Sequence, residues 1–304
     1  MVHTSRCESA IAAFRHLQDE MCASLEALDG EGKFGEDLWN RPGGGGGRSR
    51  TMVGSLIEKG GVGFSAVHGE LSAAAASSLG TEPGAFLATG VSSVLHPRNP
   101  WMPTIHMNVR FFELEGGTWW FGGGIDLTPH YILPEMARRF HARVASVCDH
   151  HACANYADYK ARADAYFYLP HRQETRGVGG IFYDRLTPPS FEEGLAFALD
   201  VGAAYVPAYA EQAEHLRDRR FGESQLEWQR HRRGRYVEFN LVWDRGTKFG
   251  LQTNGRTESI LMSMPPRADW TYQHAVAPGS EEARTQAMLR RGVDWLRAGE
   301  AVSV

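Results

Sequence analysis

Residues 104 to 111 read Thr-Ile-His-Met-Asn-Val-Arg-Phe, an unbroken alternation of polar and apolar side chains. Successive side chains of an extended strand point to opposite faces, so Ile105, Met107, Val109 and Phe111 make one apolar face. Thr104, His106, Asn108 and Arg110 share the other, spaced roughly 6.5 to 7 Å apart, two strand rises. An imidazole, an amide and a guanidinium in one row suit a large, multiply charged anion; an ordinary half-exposed strand is the alternative. Strand-like patterning continues from Phe86 to Phe121, with Pro97, Pro100, Pro103 and Gly116-Gly117 marking turns, and predicts an antiparallel meander.

Elsewhere the apolar period is helical. Ile11, Phe14, Leu17, Met21 and Leu25 predict a first helix over residues 5 to 28, ended by Asp29-Gly30. Further helices are expected from about Pro134 to Ala145, over 155 to 168, within 191 to 230, and from about Ser280 to Arg297. Gly179 to Phe182 reads as a short strand entry and Tyr236 to Trp243 as another strand. The unbroken glycines Gly43 to Gly47 predict a mobile loop, because each glycine loses more backbone entropy on ordering than other residues. No phosphate-cradling Lys-Ser/Thr pair follows them, and Gly61-Val62-Gly63 with Ala66 is a still weaker dinucleotide match. No repeat or low-complexity linker divides residues 1 to 304, which predicts one α/β domain on a largely antiparallel sheet.

At 304 residues and 42% hydrophobic, the chain supports a sizeable core. No apolar stretch approaches the roughly 20 residues that span a bilayer, and no secretory pattern opens the sequence, so a soluble, cytoplasmic protein is expected. Cys7, Cys22, Cys148 and Cys153 form no CxxC pair and no disulfide framework, in keeping with a reducing compartment. A net charge of −4 gives no electrostatic reason to expect nucleic acid. Arg217 to Arg235 is interrupted by Asp218, Glu223 and Glu227, as in a solvated helical face. The cations are lopsided, 28 Arg against 4 Lys; planar Arg forks suit a polyacidic ligand, although genomic base composition produces the same bias.

Thirteen histidines include no HExxH or other tight metal spacing. Cys148, His150, His151 and Cys153 lie close together without a zinc-finger pattern. The run Trp119 to Pro129 is an aromatic strand ending in three glycines, which allow close approach to the backbone, followed by Asp126 and by Thr128-Pro129, a pair resembling a helix cap. Asp126 there is either a turn or cap residue or a chemical group. Further along, Asp244-Arg245 leaves the expected strand and Asn254-Gly255-Arg256 follows; Asp244 and Arg245 could simply pair with each other.

Long, unusual strings carry a specific resemblance: Ala88 to Ser92, His96 to Pro100, His106 to Phe112, Gly122 to Pro129, Arg176 to Gly180, and Tyr236 through Pro266. In this order they closely resemble the oxygen-dependent coproporphyrinogen III oxidases, from about Leu17 to the C-terminus. The resemblance implies an α+β fold in which a large, flat, mainly antiparallel sheet is covered by helices on both faces. It also implies a homodimer associating through Tyr236 to Thr271. The implied reaction turns two propionates of coproporphyrinogen III into vinyl groups in haem biosynthesis, giving protoporphyrinogen IX, CO2 and hydrogen peroxide. O2 is then a co-substrate and no organic cofactor is needed, while a divalent metal is disputed. By the same resemblance His106 is a proton donor, and Arg110, with the Asn108 and Val109 backbone, holds substrate. Asp126 and Asp244 hydrogen-bond pyrrole N–H groups. Ser92, Arg245, Asn254, Gly255 and Arg256 make further substrate contacts, and His96, His106, His141 and His171 match histidines assigned to a metal. Two positions depart from the family's pattern: Asn254 stands where Gly is common, and Arg185 follows Asp184 where a second Asp is common.

A radical-SAM enzyme for the same conversion requires a CxxxCxxC cluster motif, which is absent. A non-enzymatic tetrapyrrole carrier would need the arginines but not His106 or both aspartates. A histidine-metal oxygenase is the other alternative.

Overall fold

The strand periodicity resolves into a seven-stranded antiparallel sheet. The computed structural model describes residues 4–73, 76–77, 80–252 and 255–298. A first helix, α1 (Ser5–Asp29), leads into β1 (Gly35–Asn40), β2 (Gly45–Met52), β3 (Ile57–Glu70), β4 (Ala85–Pro97), β5 (Thr104–Leu114) and β6 (Trp119–Thr128). Helices α2 (Pro134–Asp149) and α3 (Tyr156–Tyr166) follow, then a two-stranded ribbon of β7 (Tyr168–Leu169) and β8 (Glu174–Thr175). Strand β9 (Gly179–Leu186) joins the large sheet beside β6, giving the order β1-β2-β3-β4-β5-β6-β9. Helices α4 (Phe191–Ala203), α5 (Tyr205–Leu216) and α6 (Glu223–Glu238) come next; a π-helical turn (Phe239–Trp243) leads to α7 (Arg245–Gln252), α8 (Thr257–Leu261) and α9 (Glu281–Met288).

Local chemistry sets the element ends. Thr4 caps α1 by accepting from the Cys7 N–H, and Gly30 closes it in the left-handed conformation at φ 89°, donating to Glu26. The glycine run is not a free loop. Gly44 and Gly45 take positive φ at the tip of the β1–β2 hairpin, while Gly46 and Gly47 lie in β2. A Cβ on Gly47 would come within 2.3 Å of the Trp39 ring, so glycine there is required by close approach.

The apolar face of the octet is the centre of the core: Ile105, Met107, Val109 and Phe111 are fully buried. Phe111 meets Phe121 at 5.1 Å and Phe191 at 5.3 Å between ring centroids. Helices α1, α2, α4 and α5 pack on this side. Each such large apolar side chain stabilises the fold by about 1.5–3 kcal/mol.

Helices also lie on the other face, which is only partly covered. Met262, just after α8, sits against Gly61 and Gly63, Ser259 bonds Ser49 at 2.9 Å, and Lys59 donates to the Met264 carbonyl. An open strip remains over β4–β6, where Ser92, His106, Asn108 and Arg110 are half-exposed.

Three further expectations change. Tyr236 to Trp243 is helical, the end of α6 continuing into the π turn. Its aromatic and branched side chains look strand-like, but Tyr236, Phe239 and Asn240 are buried while Leu241, Val242 and Trp243 are exposed, a helical rather than alternating pattern. Thr128 ends β6 instead of capping a helix, and the next helix starts at Pro134. The last expected helix is shorter, because Gly292 at φ 77° separates α9 from a single 3-10 turn, Trp295–Arg297.

Candidate active site

Residues directly opposite each other across a sheet share a face, so the registers give the floor of the open strip. His106 lies between Val94 and Asp126, Asn108 between Ser92 and Gly124, and Arg110 between Gly90 and Gly122. The same rows continue over Gly61, Gly63 and Ser65 on β3 and Gly47 and Ser49 on β2. Over β4–β6 the floor is therefore largely glycine and serine, leaving room for a broad, flat body close to the backbone, while Met262 and Ser259 cover the rows on β3 and β2. Glycines at alternate positions, Gly122-x-Gly124, are the signal that would have revealed it from sequence.

His106 sits at one side of this floor. Its Nδ1 is 2.6 Å from Asp126 Oδ1, and Asp126 Oδ2 is 2.5 Å from Arg176 Nη2. Burial would raise the Asp126 carboxyl, but the Arg176 charge and the hydrogen bonds from His106 and Arg176 outweigh it and hold it below the usual carboxylate range. An ionised carboxylate only accepts, so the imidazole donates from Nδ1; among the described residues its Nε2 has no partner, and the ring retains access to the open strip. Asp126 itself is only 2% exposed and both its oxygens are occupied. In this structure it stands behind His106, accepting from that ring and from Arg176.

Arg110 lies flat on Gly122, with Nη1 donating to Asn108 Oδ1 at 2.9 Å and Nη2 to Asp184 Oδ1 at 2.7 Å. Val109 faces away from the open strip. Its side chain is in the core, and β5 is paired on both sides, so its backbone belongs to the sheet ladder.

The rim carries the remaining arginines. Asp244 caps α7 by accepting from the Thr247 N–H at 2.6 Å and takes the Tyr166 hydroxyl on its other oxygen at 2.6 Å. Both oxygens thus already take hydrogen bonds within the fold. Asp244 and Arg245 are not an ion pair; the Arg245 guanidinium lies 5.2 Å over Tyr166 and 5.9 Å over Phe182. Gly255 closes a turn by donating to the Gly250 carbonyl at 2.8 Å. Arg256 pairs with Asp37 and lies over Trp39, above β1 and β2. Its anchor strand and that of Arg110 are four strand spacings apart, roughly 19 Å. Asn254 lies outside the described residues.

The four histidines matched to a metal do not converge. His96 is buried between Thr104 Oγ1 and the Ser263 carbonyl, and burial, with the nearby Arg233 charge, pushes it well below the usual imidazole range. His141 is buried between the Tyr156 hydroxyl and the Val178 carbonyl, and burial lowers it to about 3. His171 bonds Glu238 and accepts from Trp243 Nε1. No group of three or more His, Cys, Asp or Glu able to hold a metal ion occurs among the described residues. This donor set therefore does not fit the implied metal centre: each histidine is committed to separate protein partners.

Sequence reasoning missed Arg176, Asp184, Tyr166 and Asn240 as parts of the site. Arg176 and its partners Asp126 and Asn240 lie 50 and 64 positions apart, so no local pattern marks them.

The fold and this face define an α+β protein whose glycine-floored sheet offers separated guanidinium groups and one accessible imidazole to a broad, polyacidic organic molecule. The family model described as coproporphyrinogen III oxidase matches residues 9–295. A relative from Synechococcus sp. strain CC9605 is 47% identical over 319 aligned positions, covering 95% of this chain and 87% of its own. Another, from strain CC9902, is 48% identical over 311 positions, covering 92% and 85%. Both are named oxygen-dependent coproporphyrinogen-III oxidase. The chain belongs to the coproporphyrinogen III oxidase family.

Proposed function

We propose that the open strip binds coproporphyrinogen III and that the chain converts two of its propionates to vinyl groups with O2, yielding protoporphyrinogen IX in haem biosynthesis. The observation that carries this reading is the His106, Asn108 and Arg110 row on a glycine floor, in a chain of this family. Arg110 exchanges Asp184 for a substrate propionate, a planar, two-pronged pairing that suits a carboxylate. Arg245 and Arg256 receive further propionates at the rim. His106, held through Nδ1, presents Nε2 for proton exchange with the macrocycle, and an imidazole suits that task near neutral pH.

Each propionate loses its carboxyl group as CO2 and one hydrogen from the carbon beside the ring. The two electrons and two protons released reduce one O2 to hydrogen peroxide, so two rounds consume two O2. O2 is a co-substrate and no organic cofactor enters this scheme. Cys7, Cys22, Cys148 and Cys153 are free thiols, which supports a cytoplasmic location, and no helix among the described residues is long and apolar enough to cross a membrane. Exposed Leu241, Val242, Trp243 and Leu251 lie within Tyr236 to Thr271, which supports association of two copies through that segment.

The test is aerobic turnover of coproporphyrinogen III by purified protein, following porphyrin products, CO2 and peroxide together. The expected result is protoporphyrinogen IX with CO2 and peroxide in equal amounts. Tight binding of the tetrapyrrole without turnover would support a carrier and overturn the enzymatic reading.

A further inference from the structure

We propose that Arg176 is a positioning residue that sets the orientation and tautomer of His106 through Asp126. The proposal rests on the reading of His106 as the proton-exchanging group. Arg176 lies in the segment between β8 and β9, and its backbone N–H donates to the Phe167 carbonyl at 2.8 Å. The next residue, Gly177, is pressed against the end of β6. A Cβ there would stand 2.4 Å from the Leu127 carbonyl oxygen and 2.6 Å from Thr128 Cα. This close approach fixes how deep the arginine enters.

Its guanidinium is boxed by three rings, 4.3 Å from the Phe167 centroid, 4.7 Å from Tyr236 and 4.8 Å from Phe239. The fork donates from Nη2 to Asp126 and from Nη1 to Asn240 Oδ1 at 3.0 Å. Guanidinium, carboxylate and imidazole thus form a line from the interior to the open strip. Arg176 and Asp126 are buried, and only His106 is substantially accessible, its side chain 24% exposed.

An unpaired buried cation is costly, and an apolar side chain would fill an aromatic box without that penalty. The arrangement makes sense as orientation. With one oxygen held by the fork, the carboxylate plane is fixed and its other oxygen accepts from the ring. The ring proton then stays on Nδ1, leaving the Nε2 lone pair free. Without the fork, the carboxylate has a single weak tether and the imidazole gains alternative tautomers and tilts. Misplacement of a catalytic group by about 1 Å can cost roughly a hundredfold in rate.

The test uses the full chain with 15N-labelled histidine and four variants: Arg176→Met, Arg176→Lys, His106→Ala, and His106→Ala with Arg176→Met. Wild-type protein is expected to show His106 protonated at Nδ1, and Arg176→Met a mixture of tautomers. The same variant should lower kcat about 10- to 100-fold while KM for coproporphyrinogen III stays within about threefold, because the substrate arginines are untouched. Arg176→Lys, which keeps a cation beside Asp126, should recover most of kcat. In the His106→Ala background, Arg176→Met should have no further effect on residual turnover. An unchanged His106 signature and kcat in Arg176→Met, or losses that multiply in the double variant, would overturn the proposal.

If Arg176→Met does not fold, Arg176→Gln, made alone and together with His106→Ala, decides by the same comparison in the two backgrounds. Equal proportional losses with and without His106 reject the positioning role. Failure of the wild type to turn over substrate would sink the functional reading, while the 15N signature would still decide whether Arg176 sets the His106 tautomer.

Discussion

Replacing Gly122 with alanine separates the binding of substrate from the stability of the sheet that carries it. A Cβ at this position would lie 2.7 Å from Arg110 Nη2 and 2.9 Å from its Cζ and Nε. Ordinary separation is roughly 3.5 Å, so the guanidinium must rise by about 0.8 Å. Every one of these contacts is with the flexible end of a side chain, so the arginine moves and the strand does not. Arg110 then loses its seat and its 2.9 Å bond to Asn108. Losing one hydrogen bond to a charged group costs about 1.5–3 kcal/mol, or about 10- to 150-fold in kcat/KM. Alanine is preferred to glycine within regular structure by roughly 0.5–1 kcal/mol, so the unfolding midpoint should stay level or rise. Steady-state turnover of coproporphyrinogen III with a denaturant melt reads both quantities. Gly124→Ala is the contrasting variant. Its Cβ would meet the Ile181 carbonyl oxygen at 2.4 Å, and relief must come from the β6–β9 backbone, so stability itself should fall by about 1–3 kcal/mol. A folded Gly122→Ala protein with kcat/KM within twofold of wild type would refute the assignment of Arg110 as a seated substrate contact.

Asp184→Asn removes the carboxylate that holds Arg110 in the absence of substrate; because this pair is partly exposed, KM should fall by no more than about fivefold, and a rise in KM would show that Asp184 orients Arg110 instead. Burial would raise the Asp29 carboxyl, but backbone N–H donors of Ile57, Gly32, Ser55 and Leu56 hold it at about 2 against an ordinary 3.8. Its stabilisation of about 2 kcal/mol is complete above pH 4 and is lost as pH falls towards 2. Asp29→Asn should therefore flatten the acid limb of the stability profile, and an unchanged limb counts against this account. Because the four matched histidines are held by separate partners, chelator-treated protein should keep its turnover; a loss restored by a divalent ion would show that the chain assembles a metal site on binding substrate. If two copies associate through Tyr236 to Thr271 as proposed, Val242→Asp, at an exposed position of the π turn, should give a monomer in sedimentation velocity where wild type sediments as a dimer, and unchanged association would move the interface elsewhere.

Alternation from Thr104 to Phe111 was sufficient to assign a strand, its buried face and its row of His106, Asn108 and Arg110, because residue spacing in an extended chain depends only on local geometry. Helical periodicity did the same for α1 and α2, and placed helical chain over 155 to 168 and within 191 to 230. The antiparallel meander was also legible, since proline and glycine mark its turns. Where local pattern and tertiary packing competed, packing prevailed: Tyr236 to Trp243 has strand-like composition but continues a helix, because Tyr236, Phe239 and Asn240 meet the core at helical spacing. Motif resemblance named candidate groups without their contacts. Only the folded chain puts Arg176 behind Asp126 and Asp126 behind His106, turns Asp244 into a helix cap, and distributes His96, His141 and His171 among separate partners. The sequence by itself determined the β4–β6 meander, most of the helices and the chemical inventory, since those follow from neighbours along the chain. The tertiary structure alone decided which group is accessible from the open strip and which is buried behind another, because accessibility and charge compensation arise between residues distant in sequence.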